Sequence, residues 1–284
     1  MTIRVEAEGK MRRTLFVSKR VFIHIALIAL SFVSVFPVYW MIISSLKGPG
    51  EIYQPTLFPL QVTLENYRYA FESINMLKMS MNSLIIVLAQ VTCQLATGIL
   101  AAYALVRWEF KAKGLVFVLL SLSWVIPFQI IMIPNYVVVN RIGLNGTLIA
   151  IILPSVASAF VILSLYQSLK AFPLSLIDAA RMDGQKDLGI LFKIILPNVK
   201  ATVASLAIIL FINAWNDYMW PMLITSKNMD IAPIQIGLKS FVGAERNTWG
   251  SLMAASTVTC IPILIAYFAL QRQVVDSFAK FGLK

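Results

Sequence analysis

The sequence predicts an all-α membrane protein with six transmembrane helices, and three observations carry that prediction. Hydrophobic residues make up 59% of the 284-residue chain and charged residues only 13%, whereas a soluble domain carries about 25% charge. Six apolar stretches are each long enough to cross a bilayer, which takes roughly 20 residues. The 24 Lys and Arg residues cluster in the segments between these stretches, as is typical of a multi-span membrane protein.

The net charge of +11 raises the question of a nucleic-acid partner, which a continuous basic surface would attract. Here the basic residues are divided among short loops between apolar runs, so we expect no nucleic-acid partner. We interpret the excess positive charge as facing anionic lipid or an acidic protein surface. The lipid membrane is therefore the first predicted partner.

The predicted spans follow a short basic N-terminal arm at residues 1–20 and belong to one transmembrane domain at 21–284. The first apolar run is too long for the apolar region of a signal peptide, and no small-residue cleavage site follows it, so we expect it to be a retained span. Prolines in or near several runs predict kinks, which a membrane helix tolerates when neighbours satisfy the freed carbonyls. In chain order the six spans are expected at about 21–45, 83–106, 114–138, 147–169, 201–224 and 251–271.

Six spans place both termini on the same side of the membrane, and the basic residues decide which side. One side carries 17 of them, in the N-terminal arm, the 107–113 and 170–200 loops and the C-terminal tail. The other carries 7, in the loops 46–82, 139–146 and 225–250. Because cytoplasmic loops hold the excess of Lys and Arg, both termini and the 170–200 loop are predicted to be cytoplasmic.

The spans contain few polar residues, and two of their tryptophans lie far from the predicted membrane interfaces. Polar groups are costly in hydrocarbon, so they are expected to face the bundle interior or a water-filled path. We hypothesise that these polar residues and the two tryptophans line a translocation path. The alternative is that their hydrogen bonds pack the helices together. The set comprises Gln90, Gln94, Trp124, Asn213, Trp215, Asn216 and Asp217.

Nothing in the sequence predicts catalysis, a metal site or an energy source within the chain. The motifs G-x-x-x-x-G-K-[ST], H-E-x-x-H and G-x-S-x-G are absent, and a single histidine cannot build the usual nucleophile–base pairs. Cys93 and Cys260 lie inside apolar runs without metal-ligand spacing. Asp217 is the one carboxylate within the spans and lies off-centre, whereas a proton- or sodium-coupled carrier usually needs ionisable groups near the midplane.

The segment 173–197 differs from the other loops because it carries helix signals. Pro173 suits a first helical turn, Ser175 is a candidate cap, and Asp178 is expected in the first turn, where a carboxylate suits the helix dipole. Ala179 and Ala180 would give a thin helix that another protein can approach closely. The segment therefore begins as a short, structured cytoplasmic helix.

The second half of this segment is predicted to turn and form another helix. Gly184 is placed to end the first helix. Apolar residues then recur at helical spacing over 188–195, and Pro197 is expected to close that stretch before the fifth span. A helix–glycine–helix loop of this kind suits docking into a partner's groove; the alternative is an amphipathic helix lying on lipid.

The stretch DAARMDGQKDLGILFKIILP resembles the cytoplasmic EAA loop of binding-protein-dependent ABC importer permeases, in which E-A-A is followed by glycine and then by I-x-L-P. Two further stretches resemble the carbohydrate-type, maltose-like branch: NSLIIVLAQVTCQLATGILAAYALVRWEFKAK its second span and loop, and NAWNDYMWPMLI its W-N-[DE] fifth span. The resemblance covers most of the chain from about Asn66. The departures are Asp178, where glutamate is usual, and Gln185, where alanine is common; the shorter Asp178 would lengthen or shift a salt bridge to an ATPase.

The resemblance implies a type I ABC importer permease fold in a prokaryotic cytoplasmic membrane, importing a sugar or oligosaccharide. It also implies partners: a second permease subunit, usually in a heterodimer, two ATPase subunits that hold ATP and Mg, and an extracytoplasmic sugar-binding protein. The chain itself would be a transport subunit rather than an enzyme and would hold no cofactor. The alternatives are a stand-alone secondary sugar carrier and a membrane-embedded enzyme. The residues that the resemblance assigns to ATPase coupling are Asp178, Ala179, Ala180, Asp183, Gly184 and Pro197.

Overall fold

The computed structural model describes residues 2–242 and 248–281, and every regular element in these residues is helical. The C-terminal tail beyond residue 281, predicted to be cytoplasmic, lies outside the described residues, as do the side chains of most of the N-terminal arm. The helices are α1 Thr2–Ser45, α2 Glu65–Ser73, α3 Met76–Arg107, α4 Lys113–Val125, α5 Phe128–Arg141, α6 Leu148–Ile152, α7 Ala159–Lys170, α8 Leu174–Met182, α9 Asp187–Ile190, α10 Leu196–Trp215, α11 Met219–Thr225, α12 Ile234–Lys239 and α13 Trp249–Phe281.

Four of the described helical stretches are long and apolar enough to cross a membrane without interruption. They are Lys19–Ser45, Met76–Arg107, Asp187–Trp215 and Trp249–Gln273. Two bent pairs pass the same test: α4 with α5, bent by 99°, and Leu148–Ser155 with α7, bent by 42°. If each bent pair is one span, the count is six, and the all-α prediction is confirmed.

The third predicted span is broken, whereas the prolines in the apolar runs predicted only kinks. α4 ends before Ile126, whose backbone is extended, and Pro127 occupies the cap position of α5. The residue before a proline is pushed out of the helical region by the proline ring. The span expected at 114–138 therefore consists of two helices that meet at a sharp angle.

The fifth span begins earlier and ends earlier than expected. A π turn at Leu191–Ile195 joins α9 to α10, with the Leu196 N–H donating to the Leu191 carbonyl, so helix continues from Asp187 to Trp215. Pro197 is the second residue of α10 and directly follows the π turn, where the regular hydrogen-bond pattern of the helix is already interrupted. The prediction that Pro197 closes a separate helix is therefore wrong. At the other end, residues 216–218 separate α10 from α11 within the range expected for one span.

Contacts within the chain divide it into two compact units. The first comprises the chain up to Ala70 together with Thr248–Thr257, and the second comprises the remainder. In the first unit a loop after α1 folds around Lys47, whose side chain is fully buried. The Lys47 ammonium donates to the carbonyls of Gln54 at 3.1 Å and Thr56 at 2.7 Å and lies 4.6 Å from the ring centroid of Trp40. The side-chain amide of Asn66 donates to the Ser45 and Lys47 carbonyls.

In the second unit α3 packs against α7 and α10. The contact between α3 and α7 is close because Gly98 presents no side chain to Val161 and Leu165, and small residues commonly permit such approach between membrane helices. The buried residues of this core are Ala102, Tyr103, Val161, Leu165, Leu169, Ile177, Ala180, Ile190, Leu191, Ile195, Val199, Leu206 and Leu210.

A second core in the same unit surrounds Trp220 of α11. The indole N–H of Trp220 donates to the Ala150 carbonyl at 3.1 Å, so a large aromatic residue is buried with its polar atom satisfied. Ile86 of α3, Val139 of α5 and Ile151 of α6 pack in this cluster. The short helices after each break are thereby fixed against α3, which positions the residues described below.

Candidate functional site

The hairpin formed by α8, the turn after it and α9 has the glycine turn that the sequence predicts. Gly184 has φ +78°, the left-handed region that favours glycine. Its N–H donates to the Arg181 carbonyl at 2.9 Å, and the Gln185 N–H donates to the Ala180 carbonyl at 3.0 Å. This pair of hydrogen bonds is a Schellman motif, which satisfies carbonyls left open at a helix C-terminus. The turn between α8 and α9 is therefore defined by backbone geometry.

The start of α8 differs from the prediction. Pro173 is the cap residue, α8 begins at Leu174, and no side chain caps it. Asp178 is consequently the fifth helical residue, and the first turn contains no acidic residue. The expectations that Ser175 caps this helix and that Asp178 lies in its first turn are wrong, because the extended backbone of Pro173 places the helix boundary one residue before Ser175.

The two alanines of the hairpin lie on different faces of α8. Ala180 is only 7% exposed and, with Ile177, packs in the core beside Ile190. Asp178 and Ala179 are exposed. The prediction that Ala180 belongs to a docking surface is therefore corrected: its side chain packs inside this chain.

The exposed face of α8 combines carboxylates with apolar side chains. Asp178 and Asp183 are exposed, Leu176 is half-exposed, and Met182 is 89% exposed. An apolar side chain that projects so far into solvent is suited to a pocket on another protein. Pro197 lies within α10, well separated in sequence from this face.

A polar cluster that the sequence analysis missed ties the hairpin to α3. An Asp187 carboxylate oxygen accepts from the Arg181 guanidinium at 2.5 Å and from the Tyr103 hydroxyl at 3.2 Å. Tyr103 is buried, and its ring meets Trp108 edge-on at 6.0 Å between centroids. Arg181 and Asp187 have opposite charges and flank the glycine turn, so the sequence alone could have suggested an ion pair between them. Tyr103 lies 84 positions from Asp187, and no local pattern connects them.

A cavity of about 440 Å³ lies among α3, α4, α5, the turn before α7, α7 itself and the end of α10. Its volume falls in the range of small-molecule sites. Five of the seven predicted path residues line it: Gln90, Gln94, Trp124, Asn213 and Asp217. The other lining residues are Phe128, Ser155, Ser158, Phe160, Leu210 and Ala214. The lining thus combines amides, hydroxyls and aromatic rings.

Two of the predicted path residues do not line the cavity. Trp215 is 2% exposed and stacks on Phe211 with ring centroids 5.8 Å apart, while its indole N–H has no hydrogen-bond partner. Asn216 donates to the Ile212 carbonyl at 3.0 Å and accepts from Gln235 at 3.3 Å. Packing and helix termination account for these two side chains.

Two of the cavity-lining residues also have structural roles. The Gln90 amide donates to the Ile151 carbonyl at 3.1 Å, and that bond fixes α6 against α3. Asp217 lies two residues before the start of α11 at Met219, where a carboxylate suits the positive end of the helix dipole. The Trp124 ring is exposed, with its centroid 5.9 Å from that of Phe160. Among the described residues, no group of three His, Cys, Asp or Glu side chains could hold a metal ion.

Comparison with known protein families and sequences gives a consistent result. The family model described as "Binding-protein-dependent transport system inner membrane component" matches residues 94–280. The lactose transport system permease protein LacG of Rhizobium radiobacter is 32% identical over 246 residues, which are 87% of this chain and 90% of the relative. The arabinooligosaccharides transport system permease protein AraQ of Halalkalibacterium halodurans is 31% identical over 260 residues, covering 90% of this chain and 93% of the relative.

A solved structure extends the comparison to the fold. It is described as a bacterial ABC transporter involved in the import of the acidic polysaccharide alginate. One of its chains matches with a TM-score of 0.77 over 90% of this chain and 97% of that chain, at 21% sequence identity. The described helices therefore share the fold of that transporter chain.

Proposed function

The chain belongs to the family of binding-protein-dependent transport system inner membrane components, and we propose that it is the membrane-spanning permease subunit of an ATP-driven importer for a sugar or oligosaccharide. The observation that carries this proposal is the match of about nine-tenths of the chain to the lactose and arabinooligosaccharide permeases, which supports a sugar or oligosaccharide as the substrate without fixing its charge. The cavity is compatible with it, because amide and hydroxyl groups beside aromatic rings suit a polyhydroxylated ring. A secondary carrier and a membrane enzyme are not favoured by these relatives.

The proposed complex contains partners that supply the energy and deliver the substrate. A second permease subunit completes the membrane part as a heterodimer, and two ATPase subunits hold ATP and Mg at the cytoplasmic side. An extracytoplasmic binding protein delivers the sugar. This chain contributes no catalytic residue and no cofactor in the proposal, since ATP hydrolysis takes place on the partner ATPases.

The hairpin of α8 and α9 is proposed to face the cytoplasm and to dock on an ATPase subunit. The excess of basic residues in the segments predicted to be cytoplasmic supports this orientation. The docking face consists of Leu176, Asp178, Ala179, Met182 and Asp183, which are exposed on one short helix and its end. The Schellman turn at Gly184 keeps α8 at a fixed angle to α9, so that a displacement of α8 is passed on to α9.

The continuous helix from Asp187 to Trp215 provides a route from the hairpin to the cavity. Asp187 lies at one end, and Asn213, which lines the cavity, lies near the other. At 1.5 Å per residue, these two positions are roughly 39 Å apart along the helix. Movement of the ATPases would tilt this rod and change the side to which the cavity opens.

Reconstitution of the complete importer tests the proposal. Proteoliposomes that contain this chain, its partner permease and the ATPases are expected to import a radiolabelled sugar only when ATP and the loaded binding protein are present. This chain alone in proteoliposomes is expected to show no uptake. Uptake by the chain alone, driven by a proton or sodium gradient without ATP, would contradict the proposal and support the secondary carrier.

A further inference from the structure

We propose that Tyr103, Asp187 and Arg181 form a clamp that makes α3 move together with the α8–α9 hairpin. Through this clamp the second span, which is α3, carries the ATPase motion to the cavity in addition to the fifth span. This inference rests on the proposed function, because it assigns a role within the coupling of ATPase to transport. Tyr103 and Asp187 are positioning residues here: they touch neither substrate nor nucleotide. None of these three residues belongs to the coupling set predicted from the sequence.

The geometry joins three helices at one carboxylate. Arg181 lies in the last turn of α8, Asp187 is the first residue of α9, and Tyr103 is one turn before the end of α3. The hydrogen bond from Arg181 is charge-assisted, which makes it stronger and more directional than a neutral one. The same Asp187 oxygen accepts from the Tyr103 hydroxyl. The carboxylate therefore fixes the hairpin internally and attaches it to α3 at the same point.

The attachment to α3 resists separation because Tyr103 is buried. The Tyr103 side chain is only 4% exposed. If α9 moved away from α3, the phenol hydroxyl of this buried residue would lose the Asp187 carboxylate as its acceptor, and a polar group left without its partner is costly. The apolar contacts of Tyr103 within the core that contains Ile177 and Ile190 act in the same direction.

The consequence for the cavity follows from the continuity of two helices. α3 runs without interruption from the clamp to Gln94 and Gln90, which lie roughly 14 and 20 Å from Tyr103 along its axis. The continuous helix that begins at Asp187 reaches Asn213, which lines the cavity. One carboxylate thus holds the cytoplasmic ends of both helices that bring amides to the cavity. With the clamp intact, α3 and α10 are joined at the hairpin as well as by the packing between them; without it, only that packing couples their movements.

The test uses Tyr103→Phe, which removes only the hydroxyl, in the complete reconstituted importer. We expect normal co-purification of the ATPases and retained stimulation of ATP hydrolysis by the loaded binding protein. We expect the number of sugar molecules imported per ATP hydrolysed to fall by roughly two- to tenfold, the range that the net contribution of one hydrogen bond allows. Asp187→Asn is expected to lower the same ratio, and the double variant is expected to be no worse than Asp187→Asn alone.

The matched control is Glu109→Gln, which breaks the exposed ion pair with Lys113 near the same end of α3. We expect it to leave the import-to-hydrolysis ratio unchanged. A direct readout uses spin labels at Leu100 on α3 and Ile209 on α10, both exposed. The label–label distance is expected to stay constant between nucleotide-free and ATP-bound complexes of the otherwise unaltered protein and to change in Tyr103→Phe.

Two outcomes would overturn the clamp. One is a normal import-to-hydrolysis ratio in Tyr103→Phe with an unchanged label–label distance. The other is a loss of assembled complex in Tyr103→Phe while the complexes that remain keep a normal ratio, since the cluster would then serve folding alone. If the unaltered complex shows no ATP-dependent uptake, the proposed function fails instead, and the parallel measurement separates the two failures.

Discussion

Val161 occupies the space that a side chain at Gly98 would need: a Cβ on Gly98 would lie 2.6 Å from Cγ1 of Val161 and 3.3 Å from Cδ1 of Leu165. Real Cβ atoms essentially never show the shorter of these distances. The contact therefore sets how closely α3 and α7 approach. Because α3 and α7 both contribute cavity residues, the spacing of these helices also defines the shape of the cavity.

Gly98→Val is expected to destabilise the subunit, because the new valine side chain would need space that the Val161 side chain already occupies. Overpacking of a close contact typically costs about 1–3 kcal/mol. The measurement is the Tm of the detergent-solubilised complex. Gly114→Ala in α4 is the control, because nothing lies within 4 Å of a Cβ at that position. An equal Tm for Gly98→Val and the unaltered complex would show that α3 and α7 are not in close contact.

Gly184 is expected to tolerate asparagine and to reject valine. Its Cβ would meet nothing within 4 Å, so the entire effect comes from the left-handed backbone at φ +78°. Asparagine enters that region at small cost, whereas a β-branched residue does so poorly. Gly184→Val should therefore assemble fewer ATPases and lose stimulated ATP hydrolysis, while Gly184→Asn keeps both. Equal behaviour of the two variants in co-purification and hydrolysis would mean that the turn conformation is unimportant.

The features predicted from the sequence are those that short-range patterns encode. The glycine turn follows from a glycine after a helical stretch, and its Schellman hydrogen bonds connect residues within five positions. Gln90, Gln94 and Asn213 stand out because a polar residue in an apolar run must avoid lipid. In the structure these three residues line one cavity; that the cavity is a translocation path stays a prediction.

The features that were missed depend on contacts between distant segments or on exact helix boundaries. Ala179 and Ala180 look equivalent in sequence, yet the packing of Ile190 against α8 buries only Ala180. Pro197 looks like a helix end, but a π turn before it lets the helix pass through. Tyr103 could not be connected with Asp187 without the fold, because only the packing of α3 against the hairpin brings them together.

The cavity predicts different outcomes for two polar substitutions at the end of α10. Asn213→Ala removes an amide that lines the cavity, so sugar import should fall while assembly and Tm stay normal. Trp215→Phe keeps a ring against Phe211 and removes an indole N–H that has no partner, so import should be retained, while the void left by the smaller ring at this buried site should lower the Tm. The measurement is the sugar import of each of the two purified variant complexes. Normal import by Asn213→Ala together with defective import by Trp215→Phe would place the path on the other side of α10.

The predicted orientation is tested by accessibility from outside the cell. With Cys93 and Cys260 replaced by alanine, a cysteine at Ser175 is expected to resist an impermeant thiol reagent in intact cells, and one at Thr248 to react. The 17 to 7 distribution of basic residues sets this expectation. Permeabilised cells should label both positions, which controls for local accessibility. Labelling of Ser175 in intact cells would reverse the orientation.

Lys47 and Lys78 are expected to differ strongly when each is replaced by methionine. Lys47→Met removes a fully buried ammonium that donates to the Gln54 and Thr56 carbonyls, and a hydrogen bond to a charged group typically contributes about 1.5–3 kcal/mol. Lys78 pairs with Asp230 at the surface, where such pairs contribute little. The measurement is the Tm of both variants at neutral pH. Equal losses would show that Lys47 is not buried.

Lowering the pH is expected to change the Tm differences of the two lysine variants in different ways. The hydrogen bond from Lys78 and its positive charge hold the pKa of Asp230 below its ordinary value. The stabilisation from that pair is therefore complete above the ordinary aspartate pKa and is lost as the pH falls through the lowered value and the carboxyl is protonated. The Lys47 contacts are to carbonyls, which do not titrate. Lowering the pH should thus narrow the small Tm difference between Lys78→Met and the unaltered protein, while the deficit of Lys47→Met persists for as long as the subunit stays folded.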